Sequence, residues 1–224
     1  MKSLADFFAL PWLFFKVKVF LFKEAKRVRC EFPGFVPYEK AFHQAYRFCN
    51  PFHICKQFLK QKGEKQIDAY GETPLPVFHQ IACECSLQKD DVVIEMGCGR
   101  GRGAIFLSHL IGCRVIGIDW VPLFIEKANS IVDNQLPASF RCEAMQEADL
   151  SEATVIYLYG TCLEDREIDL LARRFESLPS SVKIVTVSYP LSDYSPHFKT
   201  LKQFIASFPW GEAEIYVNIT TSAS

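Results

Sequence analysis

The stretch Val92-Val-Ile-Glu-Met-Gly-Cys-Gly-Arg-Gly-Arg-Gly103 sets one acid, Glu95, near the end of an apolar run and then glycines at 97, 99, 101 and 103. Glycine at that density belongs where a backbone turns tightly and meets a ligand with no Cβ between them. The helix expected after it offers unpaired amide N–H groups to the same ligand. Such a bend serves a nucleotide-type cofactor. Twenty residues past Gly99, the apolar run Val115-Ile-Gly-Ile-Asp119 closes on a carboxylate, where a Rossmann-like site hydrogen-bonds a ribose diol. Asp119 also fits as a cap for the helix that opens near Pro122. A further acid, Glu143, follows the third apolar run in Phe140-Arg-Cys-Glu-Ala144.

Spacing separates the cofactor classes. A G-x-G-x-x-G fingerprint beginning at Gly97 puts its third small residue at 102, and that residue is Arg102. The frame E-x-G-x-G-x-G from Glu95 instead resembles motif I of class I S-adenosylmethionine-dependent methyltransferases. The resemblance implies a cofactor site built from Glu95, Gly97, Cys98, Gly99, Gly101, Asp119, Trp120, Glu143 and Ala144, in which acids border a cationic sulfonium.

Upstream, Tyr70-Gly-Glu-Thr-Pro74 resembles the Y-G-E-T loop of the Dot (disruptor of telomeric silencing) class of histone lysine methyltransferases. It is also similar to the Y-x-x-T-P segment of the ATP synthase c-subunit lysine methyltransferases. The likeness extends over roughly residues 68–192 and includes Val155–Gly160 and Val187-Ser-Tyr-Pro190. It implies that Tyr70, Glu72 and Thr73 close over the methionine end of S-adenosylmethionine, and that the acceptor is a lysine of a protein substrate. As a plain sequence, Y-G-E-T-P also reads as a turn with proline at a helix start. The fourth apolar run ends Ile156-Tyr-Leu-Tyr-Gly160, without the N-P-P-Y tetrad of many adenine methylases, which disfavours a nucleic-acid base as acceptor. A lysine amine, ordinarily of pKa about 10.4, must lose its proton before it attacks a methyl group. Desolvation among aromatic rings lowers that pKa. Tyr70, Tyr159 and Tyr189 are the candidates for such a channel, Tyr159 also beside the cofactor, with Glu72 orienting or accepting the proton. A small or lipid-soluble acceptor, and a cofactor-binding module without catalysis, remain open alternatives.

These residues require an α/β frame: a Rossmann-like, doubly wound sheet, seven-stranded by resemblance, with ligands at the carboxyl ends of its strands. The pattern predicts strands over Val92–Met96, Arg114–Ile118, Ser139–Cys142, Thr154–Tyr159 and Lys183–Ser188. Helices are expected over Gly103–Ile111, Pro122–Asn134 and Glu164–Leu178, then a helical stretch around Phe198–Ser207 and an edge strand over Glu214–Thr220.

The formal net charge of −1 hides a division. Residues 1–69 carry 13 Lys/Arg against 6 Asp/Glu, and residues 70–224 carry 12 against 20. A basic, aromatic, helical appendage (1–69) therefore precedes an acidic methyltransferase domain (70–224). Helices are expected in the appendage over Tyr38–Asn50 and from Phe52 to about Lys62. The run from Leu4 to Phe22 is interrupted by Asp6, Pro11, Lys16 and Lys18, so it does not read as a membrane span. Residues 1–30 fit a membrane surface, a partner groove or a lid over the domain. Nucleic acid is disfavoured, because phenylalanines interleave the basic residues. Nine cysteines without C-x-x-C pairs point to a reduced, cytoplasmic setting, and Cys49, His53 and Cys55 fit no metal-ligand spacing.

Overall fold

The computed structural model describes residues 4–221, without the side chains of residues 4–11 and Leu13. Asp6, Phe7 and Phe8 of the aromatic segment thus lie outside what is described. Four helices, α1 (Leu4–Glu31), α2 (Val36–Ala45), α3 (Pro51–Lys62) and α4 (Leu75–Glu84), precede the sheet. Then β1 (Val92–Met96), α5 (Arg102–Ile111), β2 (Arg114–Asp119), α6 (Pro122–Ile131), β3 (Ala138–Cys142) and β4 (Val155–Leu158) alternate. The chain closes with α7 (Asp165–Phe175), β5 (Lys183–Val187), β6 (Phe198–Phe208) and β7 (Gly211–Thr220). The sheet order is β3-β2-β1-β4-β5-β7-β6, with β1 to β5 parallel and β7 antiparallel to both neighbours. This is the Rossmann-like seven-stranded frame expected from the sequence.

Strands β1, β2, β4 and β5 are buried along most of their length because helices cover both faces, which is why they read as unbroken apolar runs. One core layer packs Phe78, Phe106, Phe124 and Phe140 on one face, and Ile94, Ile116, Ile156 and Phe175 anchor the other. The expected helix at 198–207 is instead β6. Its outer edge is exposed, but Phe198, Ala206 and Phe208 turn inward and the strand pairs along β7 through the tight Pro209-Trp210 turn. Long antiparallel pairing overrides the local helical pattern there. Helix α2 ends at Ala45 rather than Asn50. Asn50 instead caps α3, its Oδ1 accepting from the Phe52 amide at 2.9 Å, with Pro51 in the first position.

The first three helices pack onto the domain through a few rings. Phe35 meets Phe106 edge-on at 5.2 Å, and Tyr46 lies 6.4 Å from Phe124. Val28, Phe35, Phe42 and Tyr46 are buried in the same core as α4 and α5. Among the described residues no helix is long and apolar enough to cross a membrane.

Candidate active site

At the carboxyl end of β1, Gly97, Gly99 and Gly101 all take positive φ, and the chain then enters α5. A Cβ on Gly99 would stand 3.1 Å from Cε2 of Tyr70, whose ring covers the bend. The loop's amides are used inside the protein. Gly97 and Cys98 donate to the Ile118 carbonyl at 2.8 and 2.9 Å, Gly101 to the Cys98 carbonyl, and Gly99 to Asp119 Oδ2 at 2.8 Å. Beside the first turn of α5, the Ala104 amide favours the Glu95 charge without outweighing its burial.

Acids line the rest of the bend. Glu95 Oε2 and Glu143 Oε1 are buried without a hydrogen-bond partner among the described residues. Burial holds the Glu95 carboxyl well above its ordinary range. Asp119 is held by backbone amides on both sides: Oδ2 accepts from Gly99 of the glycine loop and Oδ1 from Val121, each at 2.8 Å, while the cap of α6 is Val121 itself and not Asp119. Burial lifts its pKa to about 6, against the backbone hydrogen bonds that favour the charge. Ala144 is half-buried next to Glu143. Cys98 turns its sulfur beneath the loop, within 2.9 Å of where a Cβ on Gly117 would stand. Trp120 is exposed, its indole edge-on to Phe58 of α3 at 5.3 Å with Lys62 above it.

The Tyr70–Thr73 loop is fastened from three sides. The Tyr70 hydroxyl donates to Glu72, and the Glu72 carboxylate takes both arms of the Arg100 guanidinium, Nε to Oε1 at 2.5 Å and Nη2 to Oε2 at 2.7 Å. Thr73 Oγ1 and the Tyr157 hydroxyl lie 2.6 Å apart. Burial opposes the Glu72 charge, but Arg100 outweighs it and keeps the carboxyl below its ordinary range. That suits an orienting group and not a base. Arg100 also lies over the rings of Tyr46 and Phe42 in α2, 5.1 and 5.8 Å from their centroids. Arg102, the residue that breaks the dinucleotide spacing, donates to Glu39 Oε1 at 2.7 Å and Glu24 Oε1 at 3.0 Å. Two arginines of the glycine stretch thus reach the first two helices. With the loop so placed the cleft among Glu72, Thr73, Glu95, Tyr157 and Tyr159 holds about 20 Å³, so an amino-acid-sized group enters only when the loop lifts.

Beyond β4, the Tyr159 ring packs 3.3 Å from where a Cβ on Gly71 would stand. Its hydroxyl accepts from Trp210 Nε1 at 3.0 Å, and Tyr159, Phe208 and Trp210 stack in series, 5.8 and 5.2 Å between centroids. Tyr189 does not join them. Ser188 at φ 73° turns it across Gly160, where it meets Tyr194 edge-on at 5.6 Å in the core of the opposite sheet face. The structure therefore brings Tyr70 and Tyr159 together and separates Tyr189. Tyr46, Arg100, Tyr157 and Trp210 are the neighbours that sequence reading did not assign.

Residues 93–188 match the family described as a methyltransferase domain. The stretch is a methyltransferase domain. Its fold is that of the class I enzymes, and S-adenosylmethionine is their cofactor. A solved RNA methyltransferase of Salinibacter ruber, in complex with S-adenosyl-L-homocysteine, superposes with a TM-score of 0.58 at 24% identity, over 69% of this chain and 97% of that one. Among curated proteins, a sterol 24-C-methyltransferase of Kluyveromyces lactis is 29% identical over 38% of this chain and 21% of its own length. A histone-lysine N-methyltransferase of Dictyostelium discoideum is 26% identical over 64% of this chain and 8% of its own. The chain thus spans less than a quarter of either relative's length. The methyltransferase domain's residues fit the cofactor. Orphaned oxygens on Glu95 and Glu143 await donors, and Asp119 sits where a diol would bind.

Asp119 makes that fit measurable. A diol donates to the ionised carboxylate, so a ligand that needs the charge binds better as pH rises through about 6 and must displace a proton below it. Affinity for S-adenosylmethionine is expected to fall towards tenfold per pH unit below that point. In Asp119→Asn, calorimetry across pH 5 to 8 is expected to give weak and pH-independent binding; an unchanged slope removes Asp119 from the site.

Proposed function

We propose that the chain transfers a methyl group from S-adenosylmethionine to a lysine side chain of a protein. The observation that carries this reading is the wall Tyr159–Phe208–Trp210. It is aromatic, with Trp210 exposed, Tyr159 half-buried and Phe208 buried behind them, abuts the Tyr70–Thr73 loop through Tyr159, and has exposed Glu212 and Glu214 on the adjoining strand β7. A protonated lysine is drawn to such a surface, and between rings it loses water and with it the preference for its charge. The 20 acids in residues 70–224 favour the approach of a basic segment. The lysine relative in Dictyostelium agrees with this acceptor class, and the sterol relative agrees with its rival.

In this reading Glu95, Asp119 and Glu143 hold the cofactor, and Tyr70, Glu72 and Thr73 close over its methionine end. Bound S-adenosylmethionine supplies an electrophilic methyl on sulfur. Glu72, its charge already matched by Arg100, orients Tyr70, while Tyr159 excludes water and aligns the amine. Alignment of a neutral nucleophile in a dry site is the main catalytic contribution.

The test incubates the purified chain with methyl-labelled S-adenosylmethionine and a cell extract. Label mapped to lysine residues by mass spectrometry supports the proposal. Label confined to organic extract or to nucleic acid overturns it, and cofactor binding without any labelled product marks a non-catalytic module.

A further inference from the structure

Helix α1 presents two opposite faces. Val17, Phe20, Glu24 and Val28, spaced by three or four residues, form the stripe turned towards the domain; Glu24 and Val28 are buried and the other two half-buried. Glu24 accepts from the Leu75 amide and from Arg102, so its charge is committed inward. Half a turn away, Trp12, Phe15, Val19, Phe22, Lys26 and Arg29 follow the same three-and-four spacing on the outer side. Trp12 is 59% exposed and Phe22 72%. Trp12 and Phe15 stack at 5.9 Å, and the Lys16 ammonium lies 5.5 Å above the Trp12 ring.

Charge on the described part of the helix is one-sided. Glu31 is taken by Arg27 at 2.9 Å and Glu24 by Arg102 at 3.0 Å. Lys16, Lys18, Lys23, Lys26 and Arg29 remain, all exposed and without an acid partner among the described residues.

We propose that this outer face of α1 lies on an anionic lipid surface, independently of what the domain methylates. Rings on one stripe enter the headgroup boundary, and lysines with long apolar stems reach the phosphates beside them. From Trp12 to Arg29 the helix runs about 26 Å, enough to lie flat along such a surface. A second copy of the helix would set the flanking Lys16, Lys18 and Lys23 against their own kind, a repulsive seam. Nucleic acid would use the cations but leave Phe15 and Phe22 in water. The acidic remainder of the chain is repelled by the same membrane, so docking through α1 turns the methyltransferase domain away from it.

The full chain is tested by co-sedimentation with phosphatidylcholine vesicles, alone or with about one third phosphatidylserine. Binding is expected only to the anionic vesicles and to decline as salt shortens the screening length from about 10 Å to about 3 Å. Lys18→Gln with Lys26→Gln is expected to weaken partition roughly 30-fold. Phe15→Ser with Phe22→Ser abolishes it. Both variants alter exposed side chains, so melting temperature and cofactor affinity stay at the wild-type values. Equal binding to neutral vesicles, no binding to either, or self-association by light scattering that Phe22→Ser removes would each overturn the proposal.

Discussion

Arg100→Met made together with Glu72→Gln is expected to weaken S-adenosylmethionine binding about 30-fold while 5′-methylthioadenosine, which lacks the amino-acid end, binds as it does to the wild type. The expectation follows from counting charges at the bend. Glu72, Glu95, Asp119 and Glu143 all border the site, whereas the cofactor's methionine end carries a carboxylate as well as an ammonium. That carboxylate needs a cation. Arg102 is held by Glu24 and Glu39, and among the described residues Arg100 is the other guanidinium lining the cleft. It reaches the cleft from within the glycine loop, its plane fixed over Tyr46 and Phe42. When the Tyr70–Thr73 loop closes again over the methionine end, Glu72 keeps one arm of the guanidinium and leaves the other to the incoming carboxylate. Changing both partners at once avoids stranding a buried charge, which would confuse binding with unfolding. Calorimetry with the two ligands reads the difference directly. Equal losses for both ligands would reduce Arg100 to a structural clasp, and no loss for either would move the carboxylate elsewhere.

What the sequence made legible was local. The bend and Asp119 were readable because glycines and acids at fixed offsets are demanded by backbone geometry within one strand–turn–helix unit. The Tyr70–Thr73 loop was readable by resemblance for the same reason. The clamp was not: Arg102 meets Glu24 across 78 positions and Arg100 meets Glu72 across 28, so in the sequence Arg102 registers only as the residue that breaks a dinucleotide spacing and Arg100 not at all. Trp210 was hidden because the strand before it carries a helix-like pattern, and its place beside Tyr159 exists only once β6 and β7 pair. Tyr189 failed in the opposite way. Its position after a strand suggested the channel, but a single positive φ at Ser188 sends it to the other face of the sheet. Boundaries within one element follow local chemistry; partners across the sheet follow topology.

Gly101→Ala is expected to cost about 2–5 kcal/mol of stability, a large fraction of what a typical domain has. Two effects add. Gly101 is the cap of α5 at φ 75°, a conformation that charges a non-glycine residue about 1–2 kcal/mol. The new methyl would also stand 2.4 Å from Cε1 of Phe140 and 3.1 Å from Cβ of Ala128, inside a packed core, which adds about 1–3 kcal/mol. The same edge of the ring also meets a second glycine: a Cβ at Gly117 would lie 2.5 Å from Cδ1 of Phe140. One phenylalanine on β3 therefore fills the space that glycines on two neighbouring elements leave open, and it locks the cofactor bend to β2. Urea unfolding measures the loss. Adding Phe140→Leu should recover the steric part but not the backbone part, so the double variant is expected to regain about half of the lost stability. A Gly101→Ala chain as stable as the wild type, or one fully rescued by Phe140→Leu, would show that the bend is not held in its left-handed turn by the packing described.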